Sequence, residues 1–133
     1  MAIANSYDPK RVTVSVAGHT VVGFADGTMI SGERNEDKQA LHVGSKGEVT
    51  FVENADTTGT VEITLKHNSA SLKVFKDLFN TGQKFPFYIL DLNDGSKIVS
   101  IEAKVASMGS YERSDDVADK TITLLCNNFD EFY

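Results

Sequence analysis

The stretch Gly59–Gly82 reads GTVEITLKHNSASLKVFKDLFNTG and carries both kinds of periodicity found in the chain. From Thr60 to Lys66 the alternation is strict: Val61, Ile63 and Leu65 share one face, and Thr60, Glu62 and Thr64 the other. A side-chain repeat of two belongs to a strand with one buried face. Past His67-Asn68 the repeat lengthens, and Leu72, Phe75 and Phe79, joined by Leu78, fall at helical spacing. Ser69 or Ser71 can cap the helix start, and Gly82 suits the left-handed position just past its end. No other stretch reads convincingly as a helix. The remainder reads as strands whose apolar faces need a cover, and this helix can close one open end.

Upstream of it, Met1 to Lys10 forms a polar arm ending in Asp8-Pro9, a pair that favours an extended or turn conformation. Arg11 to Ala17 alternates with Val12, Val14 and Val16 inward, and Gly18 turns the chain. His19 to Phe24 is the second strand, Asp26-Gly27 a short hairpin signal, and Thr28 to Glu33 the third strand. Arg34 to Lys38 is too charged to bury; it is either a solvated loop or the tip of a long hairpin extending beyond the domain. Gln39 to Gly44 turns at Ser45-Lys46-Gly47 into Glu48 to Glu53, and Asn54 to Thr58 is a loop.

Downstream, Lys84 to Leu92 places Phe85, Phe87 and Ile89 on one face and Tyr88, Leu90 and Leu92 on the other. Both faces are apolar, so the strand is buried on both sides or lies between a core and a subunit interface. Asn93-Asp94-Gly95 turns the chain into Lys97 to Met108, a polar acidic connection spans Gly109 to Asp119, and Lys120 to Cys126 is the last strand. The tail 127–133 carries Phe129, Phe132 and Tyr133, which need something to dock on, in the same subunit or the next. About nine strands in sequence and one helix predict a mainly β fold, an antiparallel β-sandwich or barrel with one flanking α-helix.

A chain of 133 residues is expected to form one domain. Its net charge of −6 argues against binding a phosphate backbone, which needs clustered Lys and Arg. No apolar run reaches the roughly 20 residues of a membrane span, and the opening MAIANS lacks the regions of a signal peptide. The lone Cys126 fits synthesis in a reducing cytoplasm.

A search for catalytic chemistry finds none. His19, His42 and His67 lie about 24 residues apart and lack the close ligand pairs of zinc motifs. Cys126 sits in an apolar strand, where an inert thiol is the ordinary reading. Gly44-Ser45-Lys46-Gly47 lies between strands, with no helix terminus to hold a phosphate, and reads as a hairpin turn. No nucleophile elbow, phosphate loop or dinucleotide fingerprint is present. The reading is therefore not an enzyme, and no cofactor or metal is implied. The carboxylates Glu33, Glu36, Asp37, Glu48, Glu53, Asp56 and Glu62 are either scattered surface acids or an acidic wall.

Several runs together carry a family resemblance. Tyr7-Asp-Pro-Lys-Arg-Val-Thr-Val, Gly23-Phe-Ala-Asp-Gly-Thr, Glu33-Arg-Asn-Glu-Asp37, Val43-Gly-Ser-Lys-Gly-Glu-Val49 and Gly59-Thr-Val-Glu-Ile-Thr-Leu65 occur in this order. The Ser69-Ala-Ser-Leu72 helix start, the Asp91-Leu-Asn-Asp-Gly95 hairpin and the Thr121-Ile-Thr-Leu124 strand follow. The chain resembles bacteriophage tail tube proteins, those of contractile-tailed phages and phage-like elements, over nearly its whole length. One departure is the Asp130-Glu-Phe-Tyr133 end, where a short glycine-containing tail is expected of the family.

The resemblance implies a structural subunit of a virion tail, made in the bacterial host cytoplasm. Six copies form a ring, and stacked rings form a tube inside the sheath through which DNA passes without specific binding. Its partners are other copies of itself, the sheath, tape measure and baseplate proteins, with no membrane. Six copies of −6 carry −36, and an acidic lumen would keep passing DNA from sticking. On this reading Thr60, Glu62 and Thr64 face the lumen, and the helix lies outside the inner sheet. Glu33, Arg34, Asn35, Glu36, Asp37 and Lys38 reach the neighbouring ring, and Phe129, Phe132 and Tyr133 anchor an interface. Reversing the charges of Arg34 and Lys38 is then expected to leave the monomer folded and impair tube growth. The alternatives are the tube protein of a tailocin or type VI-like secretion particle, and a monomeric β-barrel ligand-binding module.

Overall fold

The computed structural model describes residues 7–25, 29–115 and 117–133. The Asp26-Gly27 hairpin signal and the first six residues of the polar arm lie outside the described residues. The end of the arm is tied down. Asp8 is extended before Pro9, its side chain accepts from the Lys10 amide at 3.0 Å, and its own amide donates to Asn93 Oδ1 at 3.0 Å.

The expected β fold with one helix is what forms. The strands are β1 (Val12–Val16), β2 (His19–Thr20), β3 (Ile30–Arg34), β4 (Gln39–Val43), β5 (Val49–Glu53), β6 (Gly59–Leu65), β7 (Phe85–Asp91), β8 (Lys97–Ser107), β9 (Lys120–Cys126) and β10 (Asp130–Phe132), with the helix α1 (Ser71–Thr81) between β6 and β7. Every strand pairing is antiparallel, and the main sheet runs β2-β1-β7-β8-β9-β6-β3, with β10 also on β8. Strands β4 and β5 stand apart as a two-stranded sheet.

The second strand is shorter than its alternation suggests. Past Val21, whose amide still donates to Val14 O of β1 at 2.9 Å, the chain crosses to β6: Phe24 bridges Leu65, the Ala25 amide donates to Thr64 O at 3.1 Å, and the Lys66 amide donates to Gly23 O at 2.8 Å. This crossover joins the two ends of the strand order, so the sheet curls round one core. At the closed centre Val61, Ile63 and Leu65 of β6, Ile122 and Leu124 of β9, Phe85 and Phe87 of β7, and Val14 and Val16 of β1 are almost fully buried. Burial of this kind is worth roughly 1.5–3 kcal/mol per large side chain.

Helix α1 covers one mouth of the curl. Phe75 and Leu78 enter the core with the buried Ser71, at i, i+4 and i+7 of one face. Phe79 does not join them; it is 40% exposed, with Lys76 Nζ 4.9 Å from its ring centre. Ser71 does not cap the helix either. Its hydroxyl accepts from the Val22 amide at 2.9 Å and bonds His19 Nε2 at 3.0 Å, fastening the helix to the crossover. The N-cap position is Ala70, which has no capping side chain; Ser69 just before it accepts from the Ser71 amide at 3.2 Å. Gly82 ends the helix at φ 65°, the left-handed geometry its position predicts.

The C-terminal tail is a correction. Phe129, expected at an interface, is 3% exposed and belongs to the subunit's own core. Its amide donates to Thr57 O at 2.9 Å, and its ring lies on the bare backbone of Gly59 and Gly32. A Cβ at Gly59 would collide with that ring, so the glycine is required by the close approach of Phe129. After it, β10 continues the β9 side of β8, pairing Asp130 with Val99 and Phe132 with Lys97. Cys126, buried in β9, has its thiol pushed up by burial.

Phe129→Ala is expected to cost about 3–5 kcal/mol. Gly59→Ala drives a methyl into the same ring and should cost about 1–3 kcal/mol. The second cost should fall but not vanish in the Phe129→Ala background, where the ring is gone but the Cβ of residue 129 still meets the added methyl. Denaturant midpoints of the four proteins measure this cycle, and costs that simply add would show that the two residues do not share one site.

Candidate assembly surface

The alternating residues of β4 and β5 form a ribbon that no other described residue of the subunit covers. The turn closes through the Gly44 amide to Glu48 O at 2.7 Å and the Gly47 amide to Gly44 O at 3.0 Å. Register places Leu41 opposite Phe51 and Val43 opposite Val49, so four apolar side chains share one face, while His42 and Thr50 pair on the other. Every residue of both strands is exposed, Phe51 by 73% and Leu41 and Val43 by 61% each. An isolated two-stranded hairpin is marginal in water, and an exposed apolar face of this kind marks an interaction surface.

The charged segment before the ribbon proves to be its root. Glu33 and Arg34 end β3, and residues 35–38 lead into β4, whereas the tip lies at Ser45-Lys46. A polar clasp holds this root. Arg34 Nη2 donates to Asp56 O at 2.8 Å, the Asn35 amide donates to Thr58 O at 3.0 Å, and the Asn54 amide donates to Lys38 O at 2.8 Å. Asn35 Nδ2 donates to Thr58 Oγ1 at 2.8 Å, and Thr60 Oγ1 donates to Asn35 Oδ1 at 2.6 Å. Asp56 Oδ1 accepts from the Thr58 hydroxyl at 2.6 Å and the Thr58 amide at 2.9 Å. These two hydrogen bonds, with a smaller contribution from the Arg34 charge, lower the Asp56 pKa below its ordinary value. Since Arg34 is spent inside the subunit, reversing its charge would disturb the monomer; the exposed Lys38 is the clean probe of the two.

On the solvent face of β6, Glu62 is exposed and Thr60 and Thr64 are half-buried. Register sets Glu62 against Ser31 and Thr60 against Glu33, so two carboxylates of adjacent strands share this face. With Gly32 these residues line a cleft of about 310 Å³. The acidic wall is therefore partly formed: Glu33 and Glu62 meet, while Glu48 and Glu53 belong to the ribbon. Across the same sheet, β7 is not buried on both sides. Phe85, Phe87 and Ile89 face the core, but Tyr88 is 45% exposed. Tyr88 pairs with Val99, Leu90 pairs with Lys97, and Ile101 is 70% exposed, which leaves an apolar patch on the outer face of β7 and β8. Of the tail aromatics, Phe132 and Tyr133 are exposed, with Lys97 Nζ 5.3 Å from the Phe132 ring centre.

Sequence reasoning missed Leu41, Val43, Val49 and Phe51 as a surface. Their alternation was visible, but only the uncovered ribbon shows that no element of the subunit takes them. At the mouth opposite α1, Val12, Ile30, Ile89, Ile98 and Tyr133 help line a groove of about 460 Å³, ringed also by Asp91, Lys97 and Glu131. Among the described residues no group of three His, Cys, Asp or Glu could hold a metal ion, and no helix is long and apolar enough to cross a membrane.

No protein-family model matches the chain. No curated protein sequence matches it either. Solved structures do. A chain in the sheath/tube terminator of an extracellular contractile injection system, in the extended state, aligns with a TM-score of 0.71 at 18% identity, over 99% of this chain and 100% of the other. A chain of the sheath-tube complex of such a system aligns at 0.68 and 19% identity, over 96% and 91%. A chain of the tube-terminating cap of the anti-feeding prophage aligns at 0.67 and 16% identity, over 99% and 94%. At these identities the likeness shows the fold, and the fold is that of tail-tube-like proteins.

Because Asp56 is held below its ordinary pKa, its contribution to the clasp is present at neutral pH and fades only as pH falls through that lowered value. Asp56→Asn removes the ionised acceptor at every pH. Hydrogen exchange in residues 39–53 should then quicken several-fold at pH 7 while the β6–β9 core is unchanged. Equal rates in both proteins would sever the clasp from the ribbon.

Proposed function

We propose that this protein is a repeating structural subunit of the inner tube of a contractile tail or injection particle, built from stacked rings of identical copies. One observation carries the reading: a ribbon whose residues all lie in water, with an apolar face that the subunit leaves uncovered. Such a face has a use when a neighbouring copy covers it. The tail-tube-like fold supports the reading, as do the sheath-tube and terminator assemblies in which that fold is found. Six copies per ring, a place inside a sheath, and passage of DNA down the centre are the finer parts of the proposal. In it, Thr60, Glu62 and Thr64 face the lumen, Lys38 and its charged neighbours from Glu33 meet the next ring, and Phe132 and Tyr133 contribute to an interface. Phe129 has no part in it, being occupied in the core.

The acidic surface suits this role. Glu33 and Glu62 stand side by side among threonines, and a lumen lined this way repels the phosphates of a passing nucleic acid. No described group of residues offers a competing chemistry, so the assembly reading stands without a second.

Negative-stain electron microscopy of the concentrated protein, with its mass in solution, should find rings or tubes with a central hole. Leu41→Ser with Phe51→Ser, which touches no core residue, should keep the circular dichroism of the parent and abolish those particles. A parent that stays monomeric at every concentration, or a double variant that still assembles, would end the proposal in this form.

A further inference from the structure

The ribbon's apolar face is one half of a contact, and the subunit carries a surface shaped to be the other half. On the outer face of the main sheet, Tyr88 and Leu90 of β7 and Val99 and Ile101 of β8 form a patch two strands wide. The ribbon's apolar face is also two strands wide and two residue pairs deep, Leu41 with Phe51 and Val43 with Val49. Two such faces can stack as sheets do, about 10 Å apart with side chains interdigitating.

Both surfaces carry charges at their edges, and on the β8 side the exposed carboxylates Glu102, next to Ile101, and Asp130, across from Val99, accompany two lysines. Lys97 and Lys104 bracket Val99 and Ile101 along β8, and both are exposed. Glu53 shares the face of Val49 and Phe51 on β5 and is exposed, while Glu48, opposite Gly44, lies on the His42/Thr50 face. Neither surface is met by the other within one subunit: the ribbon's four residues, Tyr88 and Ile101 are exposed, and Leu90 and Val99 are half-buried.

We propose that the Leu41/Val43/Val49/Phe51 face of one copy lies on the Tyr88/Leu90/Val99/Ile101 face of a second copy of this chain, with Glu53 of the one against Lys104 of the other. The proposal rests on the tube-subunit reading and names the surface that receives the ribbon. The contact is heterologous: each copy gives a ribbon and receives one, so assembly is directional and continues until it closes or grows. The Glu53–Lys104 pair sets orientation, because the same apolar faces brought together with Glu53 away from Lys104 lose that attraction.

Phe51→Cys and Ile101→Cys, made as separate single variants and then mixed under assembling conditions, test it by oxidation and a non-reducing gel. The native thiol does not compete, since Cys126 is only 2% exposed. The expected result is a covalent dimer in the mixture and none in either variant alone. A Phe51→Cys variant that cross-links to itself would overturn the proposal in favour of ribbon packed on ribbon. Particles that form without any bond between the two positions would overturn it while leaving the tube-subunit reading intact. A parent that forms no particles would overturn both. As an independent arm, Glu53→Lys and Lys104→Glu should each lower the yield of particles about tenfold, and the combined charge swap should recover it. Loss that persists in the swapped protein would count against the pairing.

Discussion

Strand β6 is the constraint on which the rest depends. One of its edges is taken by β9, and the other is shared between β3 and the crossover that runs from Gly23 to Ala25. With both edges hydrogen-bonded and Val61, Ile63 and Leu65 fully buried, β6 has no freedom to shift register, because a one-residue slip would put Glu62 into the core. The curl of the sheet, the mouth that α1 covers and the root from which the ribbon leaves all follow from this fixed strand.

The ribbon is presented by a rigid mount. Its root is held by the Arg34, Asn35, Asp56 and Thr58 clasp, and the next residue in the chain, Gly59, carries the Phe129 ring on its backbone. The Phe129 amide closes onto Thr57, inside the same five-residue loop. The C-terminal tail therefore braces the base of the hairpin from below. An uncovered ribbon on a slack loop would forfeit binding energy to ordering on each association, and a braced root removes part of that cost.

Much of this was legible in the sequence, and what was missed has physical reasons. The Gly59–Gly82 stretch discloses its strand and helix because each has one dry face, and periodicity reports dryness. Phe85 to Leu92 was rightly read as apolar on both faces, but apolarity does not say whether the second face meets the subunit's own core or water; Tyr88 meets water. Phe129 read like Phe132 and Tyr133, since three aromatics near a terminus look alike until Gly59 and Gly32 are brought beneath one of them from far away in sequence. Arg34 to Lys38 reads in sequence as a solvated loop or a hairpin tip; residues 35–38 are an exposed loop at the hairpin's root, because charge runs suit a root and a tip equally well. Leu41 and Phe51 are ordinary strand residues in sequence; what makes them unusual is the absence of any partner in the folded subunit.

The outer face of the main sheet is divided across its strands and not along them. Toward β7 and β8 it is apolar, with Tyr88 and Ile101 open to solvent; toward β6 and β3 it is acidic, with Glu62 and Glu33. A uniform face would force one fate on the whole sheet, either wholly covered or wholly wet. The division lets a neighbouring copy cover the apolar half, where burial is favourable, while desolvating the acidic half would carry the cost of stripping water from carboxylates that have no cation to meet. Packing between copies is thereby steered toward β7 and β8 and away from β6 and β3. An assembly built on that preference leaves its carboxylates facing water.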